Sequence, residues 1–204
     1  MFIELTDHLR CPGDHEEAFL VLLPSRMEGR NVIEGQLGCP VCGKTVDLQE
    51  GVVEFGGPPP RRPPPPPPAE LGHTTGALTA EQAQTLLGLS GPGGYLALVG
   101  SVGRLAEGLA MLLPELQLIV VNPGLDPLPQ GPSVSVLLAP GLPLKASSMR
   151  GIVLGNGLSE PWLRDGIRSV LRGLRIVGEG TPPAEDDHIE VLAVAGEVWV
   201  GRRR

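Results

Sequence analysis

The sequence predicts an α/β protein, in which a small β-rich segment precedes a doubly wound, mostly parallel sheet that ends in an antiparallel hairpin. Three observations support this fold class. Short apolar runs without polar alternation, typical of strands buried on both faces, recur through the second part of the chain. Helical spacing of apolar residues separates several of these runs. A proline run, PPPRRPPPPPP at positions 58–68, divides this part from the residues before it.

The composition limits the kinds of partner that the protein can have. Of its 204 residues, 41% are hydrophobic but only 3% are aromatic, so the core must consist mainly of Leu, Val, Ile and Ala. The net charge of −7 repels polyanions, which argues against direct binding to nucleic acid or to an anionic membrane. The C-terminal arginines, Arg202–Arg204, are predicted to form a solvated tail.

The cysteine content and the N-terminal sequence predict a cytoplasmic protein. Three cysteines are too few, and odd in number, for a disulfide framework, so an intracellular location is expected. The first residues, MFIELTDHLRC, carry acidic groups where a signal peptide has positive charge followed by an apolar run. No stretch approaches the roughly 20 uninterrupted apolar residues of a membrane helix.

The proline run is predicted to lie in a linker, residues 58–69, that joins two domains at residues 1–57 and 70–204. It has almost no backbone N–H groups, so it favours a polyproline II conformation that spans roughly 30 Å at about 3.1 Å per residue. A semi-rigid spacer is the simpler interpretation. Recognition of the run by a proline-binding domain is the alternative.

The first domain is predicted to contain four short strands separated by glycine-containing turns. The candidate strands are Ala18–Leu23, Asn31–Leu37, Thr45–Leu48 and Val52–Phe55. A domain of this size, built from short strands, buries only a marginal core, and a metal ion often supplies the missing stability.

The second domain is predicted to begin with a helix, whose capping box starts at Thr79 and whose body follows as AEQAQTLLGL. Buried strands and two further helices come next. The predicted strands are Tyr95–Val99, Leu116–Val121, Val134–Leu138, Gly151–Leu154 and Leu174–Val177, and the predicted helices are Arg104–Leu113 and Pro161–Gly173. A final pair of runs, Ile189–Val194 and Glu197–Val200, predicts a β-hairpin.

A glycine-containing turn, VGSVG, follows the first buried strand and leads into a helix. In parallel sheets, ligands bind beyond the carboxyl ends of the strands. Glycine lets a ligand approach the backbone, and a helix N-terminus favours polar or anionic groups. Gly100, Ser101 and Gly103 are therefore candidate cofactor-binding residues, although glycine at such a turn also serves plain chain reversal.

The order of these segments resembles the Rossmann-like class of S-adenosylmethionine-dependent methyltransferases. The resemblance rests on YLALVGSVGRLAEGLA, LQLIVVNP, APGLPLKASSMRGIVLGNGLSE and WLRDGIRSVLRGLRIVGEG, and it covers roughly residues 79–201. It implies that S-adenosylmethionine, if it binds, contacts Gly100, Ser101, Gly103 and Asn122.

Three positions depart from the pattern of this family. The family usually has an acidic residue on the first strand, where this chain has Ala97 or Leu98. It usually ends the second strand with a carboxylate and the third with Asp, where this chain has Asn122 and Ala139. Asn122 can still offer one or two neutral hydrogen bonds, but without the charge-assisted strength of a carboxylate. We therefore expect an affinity for S-adenosylmethionine that is lower by on the order of a hundredfold or more.

No catalytic residues are predicted. His73 lies near the linker and His188 lies in the acidic loop GEGTPPAEDDH, and neither has a Ser, Cys or Asp partner in a motif. Both are interpreted as surface residues. The acidic run Glu185–Asp187 matches no known cation-binding loop and is interpreted as solvated. Asn156, after the fourth buried strand, is a candidate polar contact.

The first domain resembles the small zinc-ribbon proteins that act as activator subunits of tRNA and translation-factor methyltransferases. The resemblance rests on LTDHLRCP and GCPVCGKTVDLQEGVVEF. It implies a zinc site that contains Cys11, Cys39 and Cys42. The family's remaining ligand falls at Asp14, and His15 follows it, so either residue could complete a tetrahedron. The alternative is a metal-free domain with three reduced cysteines.

Together these features predict a non-catalytic binding or scaffolding protein, built on a methyltransferase-like fold with a degraded cofactor site. Zinc is the expected cofactor, and the expected partner is a protein, such as a methyltransferase or a translation-related factor. One alternative is an active S-adenosylmethionine-dependent methyltransferase with a divergent pocket. The other is an activator subunit of a separate methyltransferase.

Overall fold

The structure, a computed structural model, describes residues 1–13, 15–56, 78–184 and 186–204. These contain eleven strands and three α-helices, together with 3₁₀ helices at Ile3–His8 and Gly100–Leu105. The strands are β1 (Val21–Glu28), β2 (Asn31–Gly38), β3 (Thr45–Gln49), β4 (Val52–Glu54), β5 (Tyr95–Val99), β6 (Gln117–Val121), β7 (Val134–Leu138), β8 (Gly151–Leu154), β9 (Arg175–Glu179), β10 (Ile189–Ala195) and β11 (Val198–Arg203). The α-helices are α1 (Ala80–Leu87), α2 (Ala106–Leu112) and α3 (Glu160–Ser169).

All eleven strands belong to one sheet, in the order β1-β2-β3-β4-β7-β6-β5-β8-β9-β11-β10. Neighbours from β4 through β7, β6, β5 and β8 to β9 run parallel. The pairs at both ends of the sheet are antiparallel. The α/β class is therefore confirmed. The sheet, however, is mixed rather than mostly parallel, because the strands of the first segment extend it.

The junction between the two parts of the chain is the parallel pair β4–β7. Val52 pairs with Val136, and Glu54 pairs with Leu138. The predicted linker at 58–69 lies within residues 57–77, outside the described residues, so the division into two domains stays a prediction. The structure shows that strands from both sides of the proline run share one sheet.

One face of the sheet is covered by α1 and α2. Leu87 of α1 and Leu109 of α2 belong to one buried cluster with Leu96 and Leu98 of β5. α1 begins at a capping box, as predicted: the Gln82 N–H donates to the Thr79 hydroxyl oxygen, and the Gln82 side chain accepts from the Thr79 N–H. This face has the helical cover that a doubly wound sheet requires.

The opposite face is covered differently. Leu5 and Leu9 from the N-terminal segment and Ile167 from α3 share a buried cluster with Ala97 and Val99 of β5. No α-helix occurs in the connections from β6 to β7 or from β7 to β8, both of which are fully described. Both connections are rich in proline, which disfavours a helix. On this face the sheet is doubly wound only in part, since the N-terminal segment takes the place of helices.

The observed element boundaries coincide with the predictions for β5, β7 and β8 and differ at one or both ends for the other elements, with clear physical causes in β1 and α3. β1 runs from Val21 to Glu28, beyond the predicted Ala18–Leu23, because pairing with β2 carries the strand into polar residues. α3 ends at Ser169 rather than Gly173, because Val170 is extended and forms a parallel bridge with Met149. In both cases a tertiary contact overrides the local pattern.

The C-terminal strand is fixed by one large side chain. Trp199 in β11 stands opposite Gly178 in β9 and is 1% exposed. A Cβ atom at Gly178 would collide with the indole ring. Glycine at this position therefore provides the space that the tryptophan fills.

No helix among the described residues is long and apolar enough to cross a membrane.

Candidate metal centre and the carboxyl edge of the sheet

Four candidate ligands form a cluster at the start of the chain. One ligand atom from each of Cys11, His15, Cys39 and Cys42 lies within 4.8 Å of all the others. The Cys11 and Cys42 Sγ atoms are 3.6 Å apart, and Cys39 Sγ is 3.5 Å from His15 Nε2. A tetrahedral zinc ion about 2.3 Å from each sulfur sets two thiolates roughly 3.8 Å apart. The donor set and its spacing therefore fit a zinc ion.

Two backbone loops bring these ligands together. In the first loop, the Cys11 N–H donates to the Ala18 carbonyl at 3.0 Å, which folds the intervening segment back on itself. The second loop follows β2: the Cys39 N–H donates to the Lys44 carbonyl and the Gly43 N–H donates to the Cys39 carbonyl, both at 2.9 Å. Gly43 adopts a φ of 70°, which glycine reaches without strain. Each loop is thus held by its own hydrogen bonds.

His15 is oriented for coordination by its other ring nitrogen. Nδ1 lies 2.7 Å from the Glu16 carbonyl oxygen and donates to it, so in the neutral imidazole the lone pair is on Nε2, which lies 3.5 Å from Cys39 Sγ. The same carbonyl raises the pKa of His15. Metal-binding histidines usually have such a carbonyl partner, which fixes the tautomer and the ring orientation. Asp14, the other predicted candidate for the fourth ligand, lies outside the described residues.

The three thiols differ in acidity. Burial raises the pKa of Cys11 to about 11. Burial also acts to raise the pKa of Cys39, but hydrogen bonds from the N–H groups of Cys42 and Val41 and from the thiols of Cys11 and Cys42 together outweigh it and lower that pKa to about 6. The pKa of Cys42 is lowered as well, chiefly by the N–H of Lys44. Since zinc binds thiolates, the Cys11 thiol has to release its proton when the metal binds.

The first ligand loop is tied to α3 by charged side chains. Arg10 forms an ion pair with Asp165 at 2.9 Å, and Arg168 forms one with Glu17 at 2.8 Å. Arg168 also pairs with Asp165 at 3.1 Å and donates to the Leu144 carbonyl at 2.6 Å. Sequence reasoning missed this network, since Arg10 and Asp165 are 155 positions apart and no local pattern links them.

The predicted cofactor residues lie at the carboxyl ends of β5 and β6. Gly100 has a φ of 75°, and Ser101 is exposed. Gly103 is buried, and a Cβ atom there would lie 2.5 Å from the Cβ of Pro123. The close packing of the 3₁₀ helix on Pro123 therefore accounts for Gly103 without a ligand. Gly100, with its positive φ, lies at the turn between β5 and the 3₁₀ helix.

Asn122 and Ala139 are hydrogen-bonded to each other. They occupy the positions where the resemblance implies carboxylates. Asn122 Nδ2 donates to the Ala139 carbonyl at 2.7 Å, and Asn122 Oδ1 accepts from the Ala139 N–H at 2.9 Å. Ala97 and Leu98 are both fully buried in β5. None of these four positions presents a carboxylate. The residues present do not match the set that holds S-adenosylmethionine in the family that the sequence resembles.

A small cavity lies beside this edge, between the loop at residues 140–142 and the start of α3. Its volume is about 230 Å³, and Trp162 and Asp165 are among the residues that line it. Cavities that enclose drug-sized ligands usually measure roughly 300–1,000 Å³. The space is therefore small for a molecule of the size of S-adenosylmethionine.

Two of the remaining polar candidates, Asn156 and His188, are exposed. Asn156 is exposed, and its Oδ1 atom lies close to Gly180. His188 is exposed, and its backbone N–H donates to the Asp186 carboxylate at 2.7 Å. His73 and Glu185 lie outside the described residues. Neither Asn156 nor His188 belongs to the ligand cluster.

No protein-family model and no curated protein sequence matches the chain. Among solved structures, it is similar to the antibiotic-resistance methyltransferase Kmr, with 15% identity, a TM-score of 0.43 and coverage of 62% of this chain and 93% of that one. The [4+2]-cyclase SpnF aligns with 15% identity, a TM-score of 0.44 and coverage of 56% and 57%. The geranyl diphosphate C-methyltransferase from Streptomyces coelicolor aligns with 16% identity, a TM-score of 0.39 and coverage of 48% and 41%.

The chain thus spans most of the first of these proteins and about half or less of the other two. Methyltransferases are among its structural neighbours. At these identities and TM-scores the likeness carries no argument about activity, so the function has to be argued from the residues of this chain.

Proposed function

We propose that the protein is a non-catalytic binding or scaffolding protein, in which a structural metal centre and a methyltransferase-like sheet form one platform for a protein partner. The observation that carries this proposal is the pair of hydrogen bonds between Asn122 and Ala139. These bonds occupy the side chain at the position where a cofactor-binding carboxylate is expected. The side-chain amide of Asn122 is hydrogen-bonded to the protein's own backbone.

The energetic consequence follows from the cost of breaking this pair. Each of the two hydrogen bonds contributes about 0.5–1.5 kcal/mol net, so a ligand that displaced both would lose about 1–3 kcal/mol, or roughly 5- to 150-fold in affinity. It would also find an amide rather than a charged acceptor. Both effects weaken binding of S-adenosylmethionine, which makes a methyltransferase activity the less favoured alternative.

The metal centre supports a structural role. Cys11, His15, Cys39 and Cys42 supply four protein ligands, which closes a tetrahedral coordination sphere. Catalytic zinc sites instead keep one position for water or substrate. A zinc ion bound by these residues would join the loop after β2 to the N-terminal loop and so stabilise the fold.

An activator role on a separate methyltransferase is less well supported. In this chain β4 is already paired in parallel with β7, so that edge of the four N-terminal strands is occupied by the protein's own sheet. A second protein would have to bind a different surface. A scaffold that carries its own methyltransferase-like sheet agrees better with this arrangement.

Calorimetric titration of the zinc-loaded full chain with S-adenosylmethionine tests the proposal. We expect no binding at millimolar ligand in a protein whose circular dichroism and zinc content show that it is folded. Micromolar binding would overturn the proposal in favour of the methyltransferase. Elemental analysis of protein purified without chelator should find about one zinc per chain, and its absence would remove the metal centre from the proposal.

A further inference from the structure

One face of the four N-terminal strands has no cover among the described residues. Cross-strand pairing places Leu23, Gln36, Asp47 and Glu54 in one row, with Leu23 opposite Gln36, Gln36 opposite Asp47, and Asp47 opposite Glu54. Directly opposed residues in antiparallel strands project to the same face. All four are exposed, so this row faces solvent.

The charge on this face is unbalanced. Asp47 and Glu54 are direct cross-strand partners, and like charges in such a pair are destabilising. Gln36 donates to Asp47 at 3.1 Å, but no lysine or arginine among the described residues forms an ion pair with Asp47 or Glu54. Glu34 is the exception on this face, since it pairs with Arg26 at 3.0 Å.

The face is also concave. An open cleft of about 540 Å³ is lined by Leu23, Glu34, Gln36, Asp47 and Glu50, among others. At its rim lies the edge strand β1, in which Leu23 is 65% exposed. The surface formed by Leu23, Glu34, Gln36, Asp47, Glu50 and Glu54 is called the acidic face below. It combines four carboxylates, of which only Glu34 forms an ion pair among the described residues, with one apolar contact point.

We propose that the acidic face binds an extended segment of a partner protein that is rich in arginine or lysine and carries an apolar side chain that contacts Leu23. This inference rests on the proposed function and gives the chemistry of its partner. A cation placed between Asp47 and Glu54 would turn their repulsion into two attractive contacts. Charge complementarity of this kind contributes mainly to specificity and to the rate of association.

Other occupants are disfavoured by the same charges. The chain has a net charge of −7, so a nucleic acid would be repelled. Two copies of the protein that met through their acidic faces would bring four carboxylates, Asp47 and Glu54 from each copy, towards one another. A basic polypeptide would instead place positive charge beside Asp47 and Glu54 and so reduce the repulsion between them.

Fluorescence anisotropy with the zinc-loaded full chain tests this inference. The probe is a labelled ten-residue peptide of eight arginines and two adjacent central leucines, so that each face of the extended chain carries arginines and one leucine. Its counterpart has glutamate in place of arginine. We expect binding of the basic probe only, with an affinity that falls as salt is raised. The double variant D47N/E54Q should weaken that binding by about tenfold.

The matched control is E107Q/E115Q, which changes the net charge equally at exposed positions away from the acidic face. It should bind the probe as the unmodified chain does. Equal weakening by both double variants would show nonspecific attraction and would overturn the inference. Because D47N/E54Q removes a like-charge pair, it should not unfold the protein, and its melting temperature checks this.

Two further outcomes would also overturn the inference. One is self-association in sedimentation that D47N/E54Q abolishes, which would assign the acidic face to a second copy. The other is binding of an oligonucleotide by the same residues. Failure of the proposed function is detected separately, because micromolar binding of S-adenosylmethionine would refute the scaffold without affecting the peptide result.

Discussion

The side-chain amide of Asn122 is hydrogen-bonded at both ends to the backbone of Ala139. Nδ2 donates to the carbonyl at 2.7 Å, and Oδ1 accepts from the N–H at 2.9 Å. The two residues follow β6 and β7, so the amide extends the pairing of these strands by one step. Asn122 itself has a φ of 47°, a conformation that asparagine tolerates better than most residues. Its role in the structure is therefore explained without a ligand.

Replacement of Asn122 by glycine should destabilise the protein chiefly through loss of the two hydrogen bonds, since glycine accepts the positive φ without strain and its entropic cost is shared by the control. We expect a loss of about 1–3 kcal/mol, which corresponds to a fall in melting temperature of roughly 2–12 °C. Thermal unfolding followed by circular dichroism measures it. The control is E50G, at an exposed residue with a φ of 51°, and a similar fall in that variant would contradict our assignment.

Removal of the metal should lower stability without unfolding the sheet. At free zinc concentrations about 100 times the dissociation constant, binding adds about 2.7 kcal/mol, so chelation should lower the melting temperature by roughly 5–11 °C. Calorimetry with and without chelator measures the shift. H15Q should reproduce it, whereas H188Q should not, because the exposed His188 lies outside the cluster. An H15Q variant that keeps its zinc would remove His15 from the ligand set.

The ion pair between Arg10 and Asp165 should couple the first ligand loop to α3. Its side chains are 27% and 29% exposed, and we expect a coupling energy of about 1 kcal/mol in a double-mutant cycle of R10A and D165A. The reference cycle uses Arg164 and Glu160, which are 74% and 80% exposed and should couple by only about 0.3–0.5 kcal/mol. Denaturant unfolding supplies both values, and equal couplings would refute a special role for the partly buried pair of Arg10 and Asp165.

Acidification should destabilise the protein through His8. Its ring lies 4.4 Å from that of Tyr95, and burial lowers its pKa from the ordinary value of 6.5, while Asp7 acts to raise that pKa and Lys145 to lower it. The unfolded chain therefore binds more protons than the folded chain just below pH 6.5, and stability rises with pH there. The stabilisation is complete above about pH 6.5 and is lost as the pH falls through the lowered pKa.

The variant H8F tests this pH dependence, since phenylalanine keeps an aromatic ring beside Tyr95 and cannot titrate. Unfolding free energies of both proteins between about pH 5 and 7 should diverge, with the unmodified chain losing more stability on acidification. Parallel curves would show that His8 does not contribute to the pH dependence. Because both proteins share the same metal ligands, the comparison cancels their titration.

Several features of the structure could be predicted from local sequence. The boundaries of β5, β7 and β8 coincide with the predicted runs, because an apolar stretch of that length without polar alternation fits a buried strand. The capping box at Thr79 begins α1 as expected. The resemblance to zinc-ribbon proteins implied Cys11, Cys39 and Cys42, which the structure gathers with His15 within 4.8 Å, although it left the choice between His15 and Asp14 open.

The sequence by itself thus determined the types of the main elements, because periodicity and caps are local properties, and it pointed to the candidate ligands through motifs that resemble those of zinc-ribbon proteins. Only the tertiary structure decided that β4 pairs with β7, that Asn122 is hydrogen-bonded to Ala139, and that Asp47 and Glu54 share a face that no other described residue covers. Each of these joins segments that are distant in the chain or set by strand register. Such pairings depend on which surfaces meet after the chain collapses, and no run of neighbouring residues encodes them alone.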